Sequence, residues 1–269
     1  MITLLLAVAV GFGGYSLAHF AAGLGNGWSI AIGAGCFVLF NLIVGRFVKK
    51  RMTAEMEGVQ QILADGQKKL QAKMQRWQFR PPSSMQAAQR EMFADMNVFV
   101  REAIARTDNL DKYRWFVPMI ARQKATAQLQ LYWMIKDFKQ VDRLLPTAFL
   151  ADPNLAAIKM ARAQMLEAPI EEIRKTYDKA TRRLRYNENV LLAATFSWIL
   201  VKRNDVDGAF KVLTEALKNS DNEVLKHNHE QLMNNRPAHF SNTALGDQWF
   251  QLQLEEPRNR APRQRSVYR

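Results

Sequence analysis

The chain opens on two apolar runs separated by a short polar break. The first, "ITLLLAVAVGFGGYSLAHFAAGL" from Ile2 to Leu24, has no acid, lysine or arginine, and the second, "WSIAIGAGCFVLFNLIVGRFV" from Trp28 to Val48, has only Arg46. Each is about 20 residues, enough at roughly 1.5 Å per residue to cross a roughly 30 Å hydrocarbon core. The pattern predicts a transmembrane helical hairpin over residues 1–51, turned at Gly25, Asn26 and Gly27. Small residues at helical steps, Gly11, Gly13, Gly14, Ala18 and Ala22 in the first run and Ala31 with Gly35 in the second, predict close helix approach. No Lys-Ser/Thr pair follows these glycines, so they do not read as a phosphate loop. The first run lacks a basic lead and a small-x-small cleavage site, and therefore reads as an anchor, not a cleaved signal. His19 and Asn41 are expected to make hydrogen bonds or mark boundaries, not to relay protons.

Beyond the second run the pattern becomes amphipathic. Met52, Met56, Val59, Leu63, Gly66, Leu70 and Trp77 fall at three- and four-residue steps, broken at Lys73. This predicts a stalk helix, continuing the second span for about 40 Å. Its seam suits either self-association or packing within its own domain. "RPPSS", Arg80 to Ser84, ends the helix and marks a domain boundary, with Ser84 as cap of the next helix. From residue 85 to about 235 the apolar period stays helical, and nothing alternates with period two long enough for a strand. The body is expected to be all-α.

Charge adds an orientation. The formal net charge is +13, which favours anionic lipid, nucleic acid or an acidic protein. Arg46, Lys49, Lys50 and Arg51 follow the second span, and the positive-inside rule puts them, and everything after Met52, in the cytoplasm. Cys36 is the sole cysteine, which excludes an intramolecular disulfide framework and a thiolate metal cluster. From Pro257 onward the tail holds Arg258, Arg260, Arg263, Arg265 and Arg269 with no acid, and is expected to be disordered and cationic. Both basic groups are candidate contacts for lipid head groups, the tail also for nucleic-acid phosphates. Trp249, Phe250, Leu252 and Leu254 form an apolar cluster before it, suited to capping the body or to docking another protein.

Candidate chemistry is sparse. His227 and His229 in "KHNHEQL" lie about 200° apart around a helix, poorly placed to share a metal. Glu171 and Glu172 follow Pro169 and read as an acidic helix start. There is no serine elbow, no phosphate loop and no cysteine nucleophile outside the apolar runs. No catalytic residue, metal ligand or cofactor is expected, and the protein is read as a non-enzyme.

A repeat emerges within the helical body. Leu129, Tyr132, Val141, Leu145, Ala148 and Pro153 are followed by Ala161, Ile173, Tyr177 and Ala180, then by Ser197, Leu200, Ala209, Leu213, Ala216 and Leu217. These three units, roughly 122–153, 154–187 and 190–222, resemble a short tetratricopeptide-type (TPR) solenoid. The alanines Ala148, Ala180 and Ala216 are spaced by 32 and 36 residues, not evenly, and the glycine expected in each first helix is missing. The resemblance implies a scaffold whose first helices line a concave groove for a partner segment. It would place Thr126, Gln130 and Trp133, then Ile158 and Arg162, then Ala194 and Trp198 along that groove. Thr126 and Gln130 stand where some members carry a lysine/asparagine clamp for a terminal carboxylate, so an apolar, aromatic segment is the expected ligand. The two tryptophans suit groove or core equally.

The sequence thus predicts an all-α protein: a hairpin anchor (1–51), a stalk and Pro linker (52–84), a TPR-like domain (85–235), and a cap with a basic tail (236–269). The expected role is a scaffold of a bacterial-type inner membrane with its body in the cytoplasm. The expected alternative is a membrane tether for RNA, ribosomes or DNA, acting through the basic stalk and the arginine-rich tail. Homo-oligomers through the transmembrane and stalk helices would suit the small-residue steps and the seam.

Overall fold

The computed structural model describes residues 2–117, 119–149, 152–182 and 184–256, and among these no strand occurs. The chain divides into two compact units, Met1–Phe149 and Leu150–Arg269.

In the first unit, α1 (Ile2–Ser16) runs on through a wider π-type turn (Leu17–Ala21) and is followed by α2 (Asn26–Phe79), a single helix of 54 residues. Both are long and apolar enough to cross a membrane, the first counted over Thr3–Ala21. They lie antiparallel: a Cβ on Gly11 would stand 3.1 Å from Phe37 Cβ, and one on Gly33, four residues earlier in α2, would stand 3.0 Å from Cβ of Tyr15, four residues later in α1. The contact row is therefore Gly11, Gly14, Ala18, Ser29 and Gly33, whereas Ala22, Ala31 and Gly35 are exposed. A four-residue step of small residues occurs on more than one face of these helices, and only the partner selects which face packs. His19 Nδ1 lies 3.3 Å from the Leu24 carbonyl oxygen and helps close the turn; Asn41 donates to Phe37 O of its own helix at 2.9 Å.

This register predicts a crosslink. Replacing Gly14 with cysteine puts the new Cβ 3.2 Å from Cys36 Cβ, close to disulfide range. Mild oxidation of G14C is expected to give an intramolecular bond in most chains, seen as a faster band on non-reducing gels, with Gly35→Cys inert as the control. Only intermolecular dimers would refute the hairpin.

The seam of the second half of α2 is satisfied within the same unit by α3 (Met85–Thr107), which returns antiparallel after the proline turn. Val59 with Ile62 and Leu63 meets Met96, Phe99, Val100, Ala103 and Ile104, and Leu131 from α4 (Ile120–Met134) with Ile135 just past its end close the core. Lys73, which breaks the apolar pattern, reaches Glu91 at 2.6 Å and Asp95 at 2.5 Å on α3. Hydrogen bonding to Asp95, then to Glu91, holds its ammonium pKa above the usual lysine value. Near the other end of α3, Arg106 pairs with Glu55 at 2.9 Å. The stalk expected over 52–84 is thus one arm of a packed hairpin. Arg80 to Ser84 turns the chain inside a unit, and the division falls between α5 (Phe138–Leu144) and α6 (Pro153–Met165). Prolines end a helix, but they do not prevent the next one from sharing its core.

The second unit continues with α7 (Ile170–Thr181), α8 (Val190–Lys202), α9 (Val206–Leu217), α10 (Glu223–Met233) and the short α11 (Asp247–Phe250). The helices α4/α5, α6/α7 and α8/α9 form three consecutive pairs, an arrangement compatible with a helical repeat. Each first helix ends the same way: Lys136, Glu167 and Asn204 take positive φ of 59°, 54° and 63°, and the next amide bonds back to Tyr132, Ala163 or Leu200. This is a Schellman turn without glycine, repeated by Asn235 after α10. Asp137 and Asp205 then cap α5 and α9 by accepting from Gln140 N and Gly208 N. Leu129, Val141, Ala161, Ile173, Ser197, Leu200, Ala209, Leu213 and Ala216 are all buried, while Ala148 and Ala180 are half-buried.

Candidate functional site

The residues expected to line a groove fall mostly inside. In the first unit Trp133 is buried and meets Phe138 edge to face at 5.5 Å, so it is a core residue. Thr126 donates to Arg122 O and accepts from Phe149 N at 2.9 Å, which ties the end of that unit back to α4. Gln130 is exposed. In the second unit Ile158 and Ala194 are buried and Arg162 is half-buried. The helix α8 is buried along its whole length from Leu191 to Leu200, which leaves no open face for a ligand.

The helices α6, α7 and α9 pack against α8, and the second unit's own C-terminal segment covers it at Ala194 and Trp198. Trp249 is fully buried and packs edge to face on Trp198 at 5.7 Å. Both indole N–H groups donate to one carboxylate, Trp198 to Glu255 Oε1 and Trp249 to Glu255 Oε2, each at 2.8 Å. Asn242, also fully buried, donates to Ala194 O at 2.8 Å and accepts from Asn228 Nδ2 at 2.8 Å. Asn228 Oδ1 in turn accepts from Ser241 N. Buried amide and indole groups left unpaired would each cost roughly 1–3 kcal/mol, so these bonds fix the segment's path. Leu252 is buried with Trp249, whereas Phe250 and Leu254 are half-buried.

Where this segment meets the end of α8 it leaves a cleft of about 900 Å³. Its walls include Trp198, Val201, Lys202, Pro237, Phe240 and Phe250, with Glu255 and Glu256 at one side. Trp198 is only 8 % exposed, and the Lys202 ammonium lies 5.2 Å from the centre of its ring. The cleft is thus an accessible place beside Trp198, one of the predicted groove residues. Sequence reasoning did not single out Glu255, Asn228 or Asn242, because each acts through a partner 14 to 57 positions away.

Tyr177 stacks on Phe196 at 4.8 Å, and burial, assisted by the charges of Asp178 and Glu215, pushes its hydroxyl pKa up to about 12. His229 stacks on Phe210 at 4.5 Å and lies 3.0 Å from Thr214 Oγ1, while His227 is exposed. Among the described residues no group of three or more His, Cys, Asp or Glu is placed to hold a metal ion.

Arg46, Lys49, Lys50 and Arg51 are all exposed on one stretch of α2, and the Arg51 guanidinium lies 5.3 Å over the Phe47 ring. Arg258, Arg260, Arg263, Arg265 and Arg269 lie outside the described residues. No family model, curated protein or solved structure matches the chain.

Proposed function

We propose that the protein is a membrane-anchored adaptor, with a hairpin anchor in a bacterial-type inner membrane and a TPR-like helical body that binds a protein partner on the cytoplasmic side. One observation carries this reading: α2 is unbroken from an apolar, outward-exposed half, through four exposed cations, to a half packed on α3. A helix of this kind joins the bilayer to the folded body without a flexible linker. The stretch from Trp28 to Val48 would be about 30 Å long, matching the hydrocarbon core, and the cations after it favour the cytoplasmic side. The turn shared by α4, α6 and α8 supports the repeat reading.

The partner segment seats in the cleft beside Trp198, since the chain itself covers the rest of α8. Phe240 and Phe250 supply apolar contact, and Lys202, Glu255 and Glu256 supply polar recognition at the rim. The test is crosslinking and affinity capture from solubilised membranes, with and without nuclease. The intact chain, a chain ending at Glu256 and the variant Phe240→Arg are compared. A defined protein partner that withstands nuclease and tail removal but is lost with Phe240→Arg is the expected result. Partners that vanish with nuclease or with the arginine tail would replace the adaptor with a nucleic-acid tether.

A further inference from the structure

A cavity of about 540 Å³ opens in the first unit where the start of α1 meets the middle of α2. Its apolar wall is built from Val44, Val48, Met52, Met56, Phe116 and Val117. Its polar wall is Thr3, Asn41, Lys49, Thr53 and Gln123. Thr3 Oγ1 donates to Phe116 O at 3.3 Å, which holds the segment before α4 against the start of α1. Beside the cavity that segment exposes large apolar side chains: Trp115 is 62 %, Phe116 38 % and Met119 45 % exposed.

These features coincide at one level along α2. On one side of Val48 the helix shows Leu39, Leu42, Ile43 and Phe47 to the outside; on the other come Lys49, Lys50 and Arg51. In a bilayer that level is the boundary between acyl chains and head groups, where tryptophan and cations concentrate. A void of this size with an apolar wall and a lysine at its rim fits a molecule that is apolar along its length and anionic at one end.

We propose that this cavity holds the head-group end of one anionic phospholipid of the surrounding bilayer, with its phosphate at Lys49 and Thr53, the upper part of one acyl chain along Val44, Val48 and Phe116, and the rest of the lipid outside in the bilayer. The proposal rests on α1 and α2 being embedded in a membrane. The lipid fills the space between the anchor and the segment before α4, and couples the orientation of the first unit to the leaflet. Trp115 and Met119 rest in the same interface alongside it.

Gly45 offers a clean perturbation, because it lines the cavity and a Cβ there meets nothing within 4 Å. Full-length protein is reconstituted in nanodiscs of phosphatidylcholine and phosphatidylglycerol, extracted in mild detergent and weighed by native mass spectrometry. The natural chain is expected to retain one phosphatidylglycerol. Gly45→Phe, which fills the void, and Lys49→Glu, which reverses the rim charge, each lower that occupancy about tenfold. Lys50→Glu, an exposed cation outside the wall, leaves it unchanged. Equal retention in all four proteins overturns the site, as does a natural chain that keeps no lipid yet stays in membranes through alkaline carbonate. Release of the natural chain by carbonate overturns the membrane reading itself, and the lipid site with it.

Discussion

Replacing Trp249 with alanine is expected to free the C-terminal segment of the second unit and to cost about 3–5 kcal/mol there, the range for deleting a buried tryptophan. Two losses combine. The ring that fills the space over Trp198 is gone, and Glu255 keeps one of its two indole donors. Because the chain has two units, a single unfolding midpoint is a poor readout. Amide hydrogen exchange is the appropriate one: protection across Leu191 to Leu200 should fall by about 100-fold or more, with α3 unaffected. Trp249→Phe, which keeps a ring but loses the N–H, should fall between the two. Unchanged exchange in α8 would mean that the segment does not seal that helix. The result also bears on the adaptor reading, since freeing the segment would uncover the face of α8 where repeat scaffolds bind their ligands.

Gly66→Leu is expected to destabilise the α2/α3 hairpin by about 1–3 kcal/mol, the usual cost of overpacking a filled interface. A Cβ at this position would overlap the Phe99 ring. Helix propensity acts in the opposite direction, because glycine inside a helix costs about 1 kcal/mol relative to a good helix former. Packing should prevail, since the larger side chain must displace an aromatic ring flanked by Met96, Val100 and Ala103. Gln67→Leu, exposed and one position on, is the neutral control, because glutamine and leucine have similar helix propensity and the added leucine meets no filled interface. Exchange of the α2 and α3 amides, or thermal unfolding in detergent, reads both. A Gly66→Leu chain more stable than Gln67→Leu by about 1 kcal/mol would show that Phe99 moves aside freely.

Gly66 also marks the limit of what a local pattern conveys. Within the seam it looks like a weak point, yet it is the hole that receives Phe99. Lys73 likewise looks like an interruption, yet Glu91 and Asp95 on the returning helix meet its charge. At the hairpin anchor the small residues announce close packing, but Gly33 makes the contact while Ala31 and Gly35 face outward. Helix ends escape in a similar way: Lys136 and Glu167 adopt a conformation usually left to glycine, so no glycine announces those turns.

By itself the sequence determined the helical character of the chain, the two apolar runs of membrane length, the basic junction after them, the amphipathic seam and the three helix pairs. Each of these is a periodic or compositional property of a short window, fixed by backbone geometry and side-chain polarity. Only the tertiary structure decided that α3 meets the seam of α2, that the C-terminal segment packs on α8 at Ala194 and Trp198, and that Glu255 joins Trp198 to Trp249. Those outcomes depend on which apolar faces meet across as many as 57 positions of chain, and on which buried polar groups then find partners. A helical period says that a face must be buried, but not what buries it.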